Sequence, residues 1–193
     1  MKTRIKTITH QCLAGGWLLT RLSILATAVL YHAAADDLGQ QHAEQAKTVP
    51  AKLVEIVRNN TRQFVDVYNA IAAGYQPLFG CVTGPDHGAM GVHYLNMDLV
   101  GDGEIDATRP EALIYEPSDG GLRLVGVEFI VDAALWMNRH KSPPALEGQA
   151  FQFVNSPNRF GLAAFFELHV WAWRDNPYGA FVDWNTRVSC ERQ

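Results

Sequence analysis

The sequence lacks the short motifs that identify the commonest enzyme classes. It has no Gly-x-Ser-x-Gly nucleophile turn, no phosphate-binding P-loop and no Gly-x-Gly-x-x-Gly dinucleotide fingerprint. The metal-binding spacings His-x-His and His-Glu-x-x-His are absent as well, and there is neither an internal repeat nor a low-complexity tract. A histidine metal site in this chain would therefore depend on strand pairing that brings distant residues together.

Long apolar runs are also missing, except near the N-terminus. Basic residues in the first 21 positions precede an apolar run over residues 22–31, and Ala33 and Ala35 form a small-x-small pair. This order is typical of a secretory signal peptide, and the run is shorter than the roughly 20 residues that a membrane span needs. We predict that residues 1–35 are a signal peptide cleaved after Ala35; an uncleaved N-terminal anchor is the alternative.

Cysteine is scarce, with three residues in the whole chain. Removal of the leader takes away Cys12 and leaves Cys81 and Cys190. Two cysteines in an exported chain favour one disulfide, so we predict that these two are joined. Metal binding by the pair is the weaker interpretation, because no further cysteine is left to complete a thiolate site.

Acidic residues outnumber basic ones, and the full chain has a formal net charge of −4. The leader contains four basic residues and no acidic one, so its removal lowers the charge to −8. An acidic chain without basic clusters argues against nucleic acid and anionic membrane surfaces as partners. We expect no membrane contact after leader cleavage. A small molecule or an envelope protein remains a candidate partner, and the oligomeric state is left open.

The pattern after the leader predicts one α+β domain. Residues 36–49 are polar and are expected to be a flexible mature N-terminus. Within residues 50–193, apolar positions over 50–73 recur with helical spacing, and the runs that follow alternate as strands, two of them flanking a Pro-Ser-Asp-Gly turn. We therefore expect one N-terminal amphipathic helix packed on a mostly antiparallel β-sheet in a single domain.

Residues 163–173 are the strongest candidate for a central strand. With a period of two, one face is wholly apolar, with Phe166, Leu168, Val170 and Ala172. The other face is aromatic with two polar groups in its middle: Phe165, Glu167, His169, Trp171 and Trp173. This second face is either a core that tolerates polar groups or a floor on which a ligand binds. Residues 180–184 are predicted to form a closing strand.

Three apolar strands each carry one metal-competent residue in their interior, namely His93, Glu128 and His169. Two imidazoles and a carboxylate on a rigid sheet are a typical ligand set for a divalent transition metal such as zinc, copper or iron. His87, in a glycine-rich loop, can supply a fourth ligand. Glu167 lies two positions from His169 and can bind the ion or orient the imidazole.

The metal hypothesis depends on strand register, because a slip of one residue turns a ligand to the opposite face. It requires Glu128 to share its face with Leu124 and Ile130. It also requires Met90 to lie on the face opposite His93. A metal-free polar pocket and plain structural use are the alternatives; in the second case a buried Glu128 would pair with a cation, such as Arg123, Arg174 or Arg187.

Two further patterns have competing interpretations. Trp171 and Trp173 can form an aromatic surface that, with Glu167, binds a flat ligand, although large aromatics on a strand are more often core. Residues 98–106 resemble the middle of an EF-hand calcium loop. Val100 and Arg109 occupy positions where that loop needs ligands, so a solvated acidic turn is the better interpretation.

Several segments together resemble a group of uncharacterised secreted bacterial proteins. The resemblance is carried by Gly-Ala-Met-Gly-Val-His-Tyr (88–94), Arg-Pro-Glu-Ala-Leu-Ile-Tyr-Glu-Pro (109–117), Leu-Val-Gly-Val-Glu-Phe (124–129), Leu-His-Val-Trp-Ala-Trp-Arg-Asp-Asn-Pro (168–177), Asp-Trp-Asn (183–185) and Val-Ser-Cys (188–190). It implies bacterial export, periplasmic or extracellular, and a shared fold, but no activity. We expect an exported small binding protein or enzyme with a transition-metal site. A metal-free envelope interaction or small-ligand-binding module that uses the aromatic face is the alternative.

Overall fold

The structure is a computed structural model, and it describes residues 51–84 and 86–192. The predicted leader and the predicted flexible segment 36–49 lie outside the described residues. The helices are α1 (Lys52–Thr61), a 3-10 helix (Arg62–Val65), α2 (Val67–Ala72), α3 (Met97–Asp102) and α4 (Ala133–Arg139). The strands are β1 (Gln76–Pro77), β2 (Val82–Gly84), β3 (Gly88–Leu95), β4 (Ala112–Ser118), β5 (Gly121–Asp132), β6 (Ala145–Leu146), β7 (Gln149–Ala150), β8 (Gln152–Val154) and β9 (Phe165–Val170).

A seven-stranded antiparallel sheet organises these elements. Its order is β1-β3-β4-β5-β9-β8, and β2 also pairs with β3, while β6 and β7 form a separate two-stranded pair. Neighbouring strands follow one another along the chain through β3, β4 and β5, as hairpin connections require. A mostly antiparallel sheet with a few helices fits the α+β class that the sequence indicates. Among the described residues, no helix combines the length and the apolar character that crossing a membrane requires.

One face of the sheet is covered by the N-terminal helices. Leu53, Val54 and Val57 of α1 are buried in a cluster with alternate residues of β5 and β9. The expected single helix over 50–73 is interrupted at residues 62–66, where a 3-10 turn leads into α2. Asp66 explains the break, because its backbone is extended and its carboxylate accepts the amide N–H of Tyr68 as a cap of α2.

Two irregularities change which side chains reach the second face. The β4–β5 pairing steps from Ile114–Gly126 to Tyr115–Leu124, so Val125 is an extra residue in β5. As a result Leu124 packs with the α1 side, and its predicted sharing of a face with Glu128 is wrong. A matching shift between β2 and β3 occurs beside Gly91, whose φ is +105°.

Met90 is affected by the second irregularity. Because the register shifts next to it, its side chain lines the same cavity as His93 instead of lying on the opposite face. The expectation for Met90 was therefore wrong, whereas Ile130 and Glu128 do share a face, as predicted, and line that cavity together.

Part of an irregular C-terminal segment, residues 171–192, covers the second face, where Trp171 and Val188 are buried, while Ala172 and Trp173 pack on the α1 side. The strand predicted over 180–184 is not formed; instead the segment is held by single backbone contacts. Trp171 donates its amide N–H to the carbonyl of Ala180, and Asn185 exchanges two backbone hydrogen bonds with Ala89. The predicted pairing of the cysteines is confirmed, since a disulfide joins Cys81 to Cys190 with their Cα atoms 5.6 Å apart.

Candidate metal centre

Three neighbouring parts of the sheet place two imidazoles and a carboxylate side by side. Glu128 of β5 is directly opposite His169 of β9 in the strand register. His93 lies on β3, two strands from β5, and Ala112 is the β4 residue opposite Glu128. Because Ala112 has only a methyl group, the longer Glu128 side chain can reach across β4 towards His93.

The distances show how closely these groups converge. His93 Nε2 is 3.4 Å from one carboxyl oxygen of Glu128, and His169 Nδ1 is 4.0 Å from the other. One ligand atom from each of the three residues lies within 4.8 Å of the other two, so the group can hold a metal ion. The fold thus brings together the three residues that the sequence predicted.

The cluster is buried, and several of its polar atoms have no partner. The exposed fractions of His93, Glu128 and His169 are 5%, 4% and 1%. His93 Nδ1 and both ring nitrogens of His169 make no hydrogen bond. Buried polar atoms without a partner cost on the order of 1–3 kcal/mol each, so such a group is kept at the expense of stability. An ion held by His93 Nε2 and His169 Nδ1, the nitrogens nearest Glu128, would satisfy one of these three atoms, His169 Nδ1.

Burial also sets the protonation of the cluster. Desolvation lowers the pKa of His93 from 6.5 to about 4. Desolvation, and then the nearby His93, hold the pKa of His169 well below its usual value. Both imidazoles are therefore neutral at pH 7, which is the form that binds metal.

The carboxyl group of Glu128 responds in the opposite direction. Burial, and then the neighbouring Glu167 carboxyl, raise the pKa of Glu128 well above its usual range. Glu128 and Glu167 are hydrogen-bonded to each other, and burial raises the pKa of Glu167 as well. Without a cation the pair therefore retains a proton that a bound ion would displace.

Asp183 is a member of the cluster that the sequence did not indicate. Its carboxylate lies 3.7 Å from His169 Nδ1, and with Glu167 and His169 it forms a second group that can hold an ion. Desolvation raises the pKa of Asp183, and its carboxylate accepts a hydrogen bond from the side chain of Gln152. Asp183 belongs to the irregular C-terminal segment, so no strand periodicity marked it.

The other predicted ligand residues lie elsewhere. His87 is exposed and lines a surface depression that Asp183 also lines, but it belongs to neither ligand group. Trp171 is buried beside the cluster, and its indole N–H donates to the carbonyl of Val182. Trp173 was predicted to lie on the same face, but β9 ends at Val170 and its indole N–H donates to Thr61 on the α1 side. These tryptophans are packed into the body and do not form a shared aromatic binding face.

The arginines considered as partners of Glu128 are engaged in other interactions. Arg123 pairs with Glu116, Arg187 pairs with Asp175, and Arg174 donates to the carbonyl of Arg187. Glu128 is therefore not paired with any of these three arginines.

The EF-hand-like acidic stretch does not form a calcium loop. Residues 97–102 are helical, and the carboxylates of Asp102 and Asp106 accept hydrogen bonds from backbone amides of their own turns. The interpretation as a solvated acidic turn agrees with this geometry.

An apolar cavity adjoins the cluster. It has a volume of about 70 Å³. Three polar residues, His93, Glu128 and Glu167, form part of its wall. The remaining lining is apolar and comes from β1–β3 and their connections, from α3, from β5 and from the chain before and within β9: Leu78, Phe79, Met90, Leu95, Met97, Val100, Ile130, Phe160, Leu162 and Phe165.

Glu111, just outside this cluster, provides a test of the buried charges. Its carboxyl group accepts the amide N–H of Ile130, and desolvation raises the pKa of Glu111 from 4.5 to about 8. A raised pKa means that the folded chain retains a proton that the unfolded chain releases above pH 4.5. Relative to its ionised form, the protonated Glu111 carboxyl group favours the folded state. This stabilisation is complete below about pH 4.5 and is lost as the pH rises towards 8.

We expect Glu111→Gln to be nearly neutral at pH 5, because glutamine mimics the protonated acid. Between pH 5 and pH 8 the variant should gain about 3–4 kcal/mol relative to the wild type, since each pKa unit corresponds to about 1.4 kcal/mol. Urea unfolding at the two pH values measures this difference. Glu55→Gln, which changes an exposed carboxylate on α1, is the matched control and should show no such gain. A constant difference between the Glu111→Gln variant and the wild type would contradict the prediction.

Comparisons of the chain with protein-family models, with curated proteins and with solved structures give no match. The resemblance to secreted bacterial proteins therefore stays a prediction. The chemistry of the buried cluster is the remaining guide to what the protein does.

Proposed function

We propose that the protein is an exported metal-binding protein or metalloenzyme that holds one divalent transition-metal ion between His93, Glu128 and His169. The observation that carries the proposal is the convergence of these three buried ligand atoms, within 4.8 Å of one another, with His169 Nδ1 left without a hydrogen bond beside the Glu128 carboxyl group. Two imidazoles and a carboxylate are ligands suited to zinc, copper or iron.

The spacing of the ligand atoms fits a small ion after modest side-chain movement. A tetrahedral ion with bonds of about 2.0–2.1 Å separates its ligand atoms by about 3.3 Å. The corresponding separations here are 3.4 Å for His93–Glu128 and 4.0 Å for Glu128–His169. Asp183, 3.7 Å from the same nitrogen of His169, is the protein group best placed to complete the coordination.

Metal content of purified variants tests the proposal. We expect the wild type to take up about one equivalent of Zn²⁺ or Co²⁺, and His169→Ala to weaken binding by about a hundredfold or more, because each ligand contributes several kcal/mol. His87→Ala is the matched control, since it removes an exposed histidine outside the cluster, and it should bind like the wild type. Equal metal content in the wild type and His169→Ala would refute the site. If His87→Ala alone lost the metal, His87 and not His169 would be the ligand.

Export is supported by the leader pattern of residues 1–35 and is compatible with the Cys81–Cys190 disulfide. We expect mass spectrometry of protein recovered from a bacterial host to find a mature chain beginning at Asp36. A product that keeps residues 22–31 would contradict cleavage after Ala35.

A further inference from the structure

We propose that the cavity beside the cluster binds a small molecule with a hydrocarbon tail and a neutral nitrogen-donor head, and that the head occupies an open coordination position of the metal. This inference rests on the proposed metal site and names the class of ligand that the site would accept. It follows from where the cavity begins, where it ends and which charges surround it.

The cavity has an exposed end and a buried end. Leu78 and Met97, which line it, are 43% and 59% exposed, so the hydrocarbon wall reaches solvent there. His93, Glu128 and Glu167 line it as well and are each about 5% exposed. A molecule that entered past Leu78 and Met97 would meet hydrocarbon first and the metal ligands at the buried end.

The lining decides the nature of the tail. Apart from the three cluster residues, every side chain of the wall is apolar. A hydrocarbon chain in such a cavity gains about 0.8 kcal/mol for each methylene removed from water. A polar tail would lose its hydrogen bonds to water without replacement.

The charges decide the nature of the head. No lysine or arginine lines the cavity, while the two ligand groups that share His169 contain three carboxyl groups, those of Glu128, Glu167 and Asp183. Two of these carboxylates already balance a divalent cation. An anionic head would add a charge without a partner at a buried position, which is strongly unfavourable. A neutral azole nitrogen avoids this cost and is a good ligand for the metals in question.

A series of 1-alkylimidazoles tests the inference on the Co²⁺-loaded protein, with the Co²⁺ absorption spectrum as the readout. We expect 1-methylimidazole, 1-propylimidazole and 1-hexylimidazole to perturb the spectrum with affinities that rise about fourfold per methylene until the cavity is full. Heptanoate, which has the same six-carbon tail with an anionic head, should bind at least about tenfold more weakly than 1-hexylimidazole.

Two Val→Phe variants locate the tail. Val100→Phe fills the cavity from α3. It should abolish the increase in affinity with alkyl chain length, while 1-methylimidazole should still bind. Val65→Phe changes a 52% exposed residue that does not line the cavity, and it should retain the wild-type series. The Co²⁺ content of each variant shows whether it is folded and loaded.

The outcomes separate this inference from the proposed function. Failure of the wild type to bind Co²⁺ would refute the metal site and the ligand inference with it. Normal Co²⁺ binding with affinities independent of chain length would refute only the ligand inference. A length dependence that survives in Val100→Phe would also refute only the ligand inference, because it places the tail elsewhere. So would equal binding of 1-hexylimidazole to the Co²⁺-loaded and the metal-free protein, compared by isothermal titration calorimetry, because it places the head elsewhere.

Discussion

Replacing Cys190 by serine should lower the free energy of unfolding by about 4–5 kcal/mol. The disulfide closes a loop between positions separated by 109 residues. Opening a loop of this size restores much of the freedom of the unfolded chain. The bond also fastens the C-terminal segment to the start of β2, and it lies close to the amide of Ser189, which donates to Glu116.

Urea unfolding of the oxidised wild type and of Cys190→Ser measures the loss. The matched control is the double variant Cys81→Ser with Cys190→Ser, which should be as unstable as the single variant because each lacks the same bond. Full reduction of the wild type should give the same shift. Identical unfolding midpoints for oxidised and reduced wild type would show that the disulfide does not stabilise the fold.

Gly88→Ala should destabilise the protein by about 2–4 kcal/mol, from the cost of a left-handed alanine and the displacement of backbone. The φ of Gly88 is +83°, and a Cβ atom there would lie 2.6 Å from the Cα of Thr186. The atoms in the way belong to the main chain and cannot rotate aside. The C-terminal segment would have to move, and Asp183 with it, so metal affinity should fall as well.

Gly148→Ala separates the two causes of this loss. Gly148 has nearly the same φ, +81°, but a Cβ atom there would meet no other atom within 4 Å. Its substitution should therefore cost only the backbone strain of about 1–2 kcal/mol and leave metal affinity unchanged. Equal losses in the two variants would mean that Thr186 gives way easily and that the close packing at Gly88 is unimportant.

The alternation of the sequence was sufficient to identify the three residues of the buried cluster. His93, Glu128 and His169 lie in the parts of their strands where the pairing is regular, and there a period of two reports the face directly. Each is also a polar residue in an apolar run, which made it conspicuous. The sequence could not show that β3, β5 and β9 lie close enough for the side chains to meet, because strand order depends on contacts between distant segments.

The errors occur where the regular period stops. Val125 is an extra residue within β5, so residues before it change faces, and alternation alone cannot reveal such a bulge. Trp173 follows the end of β9, where the alternation no longer applies. Asp183 lies in a segment without regular structure, and its role depends on how that segment crosses the sheet.

The segments that pack on the two faces of the sheet differ in their hydrogen bonding, and this difference predicts which of them unfolds locally first. On one face the helices have their own hydrogen-bond ladders, whereas the segment over the cluster is held mainly by isolated contacts, the Ala89–Asn185 bridge and one disulfide. Segments with few internal hydrogen bonds open at lower free energy than the body they cover. Amide hydrogen exchange should therefore be fast over residues 174–187 and slow in β4, β5 and β9. Since Asp183 lies in the segment that opens first, the buried cluster would be reached through a partial opening that leaves the sheet intact.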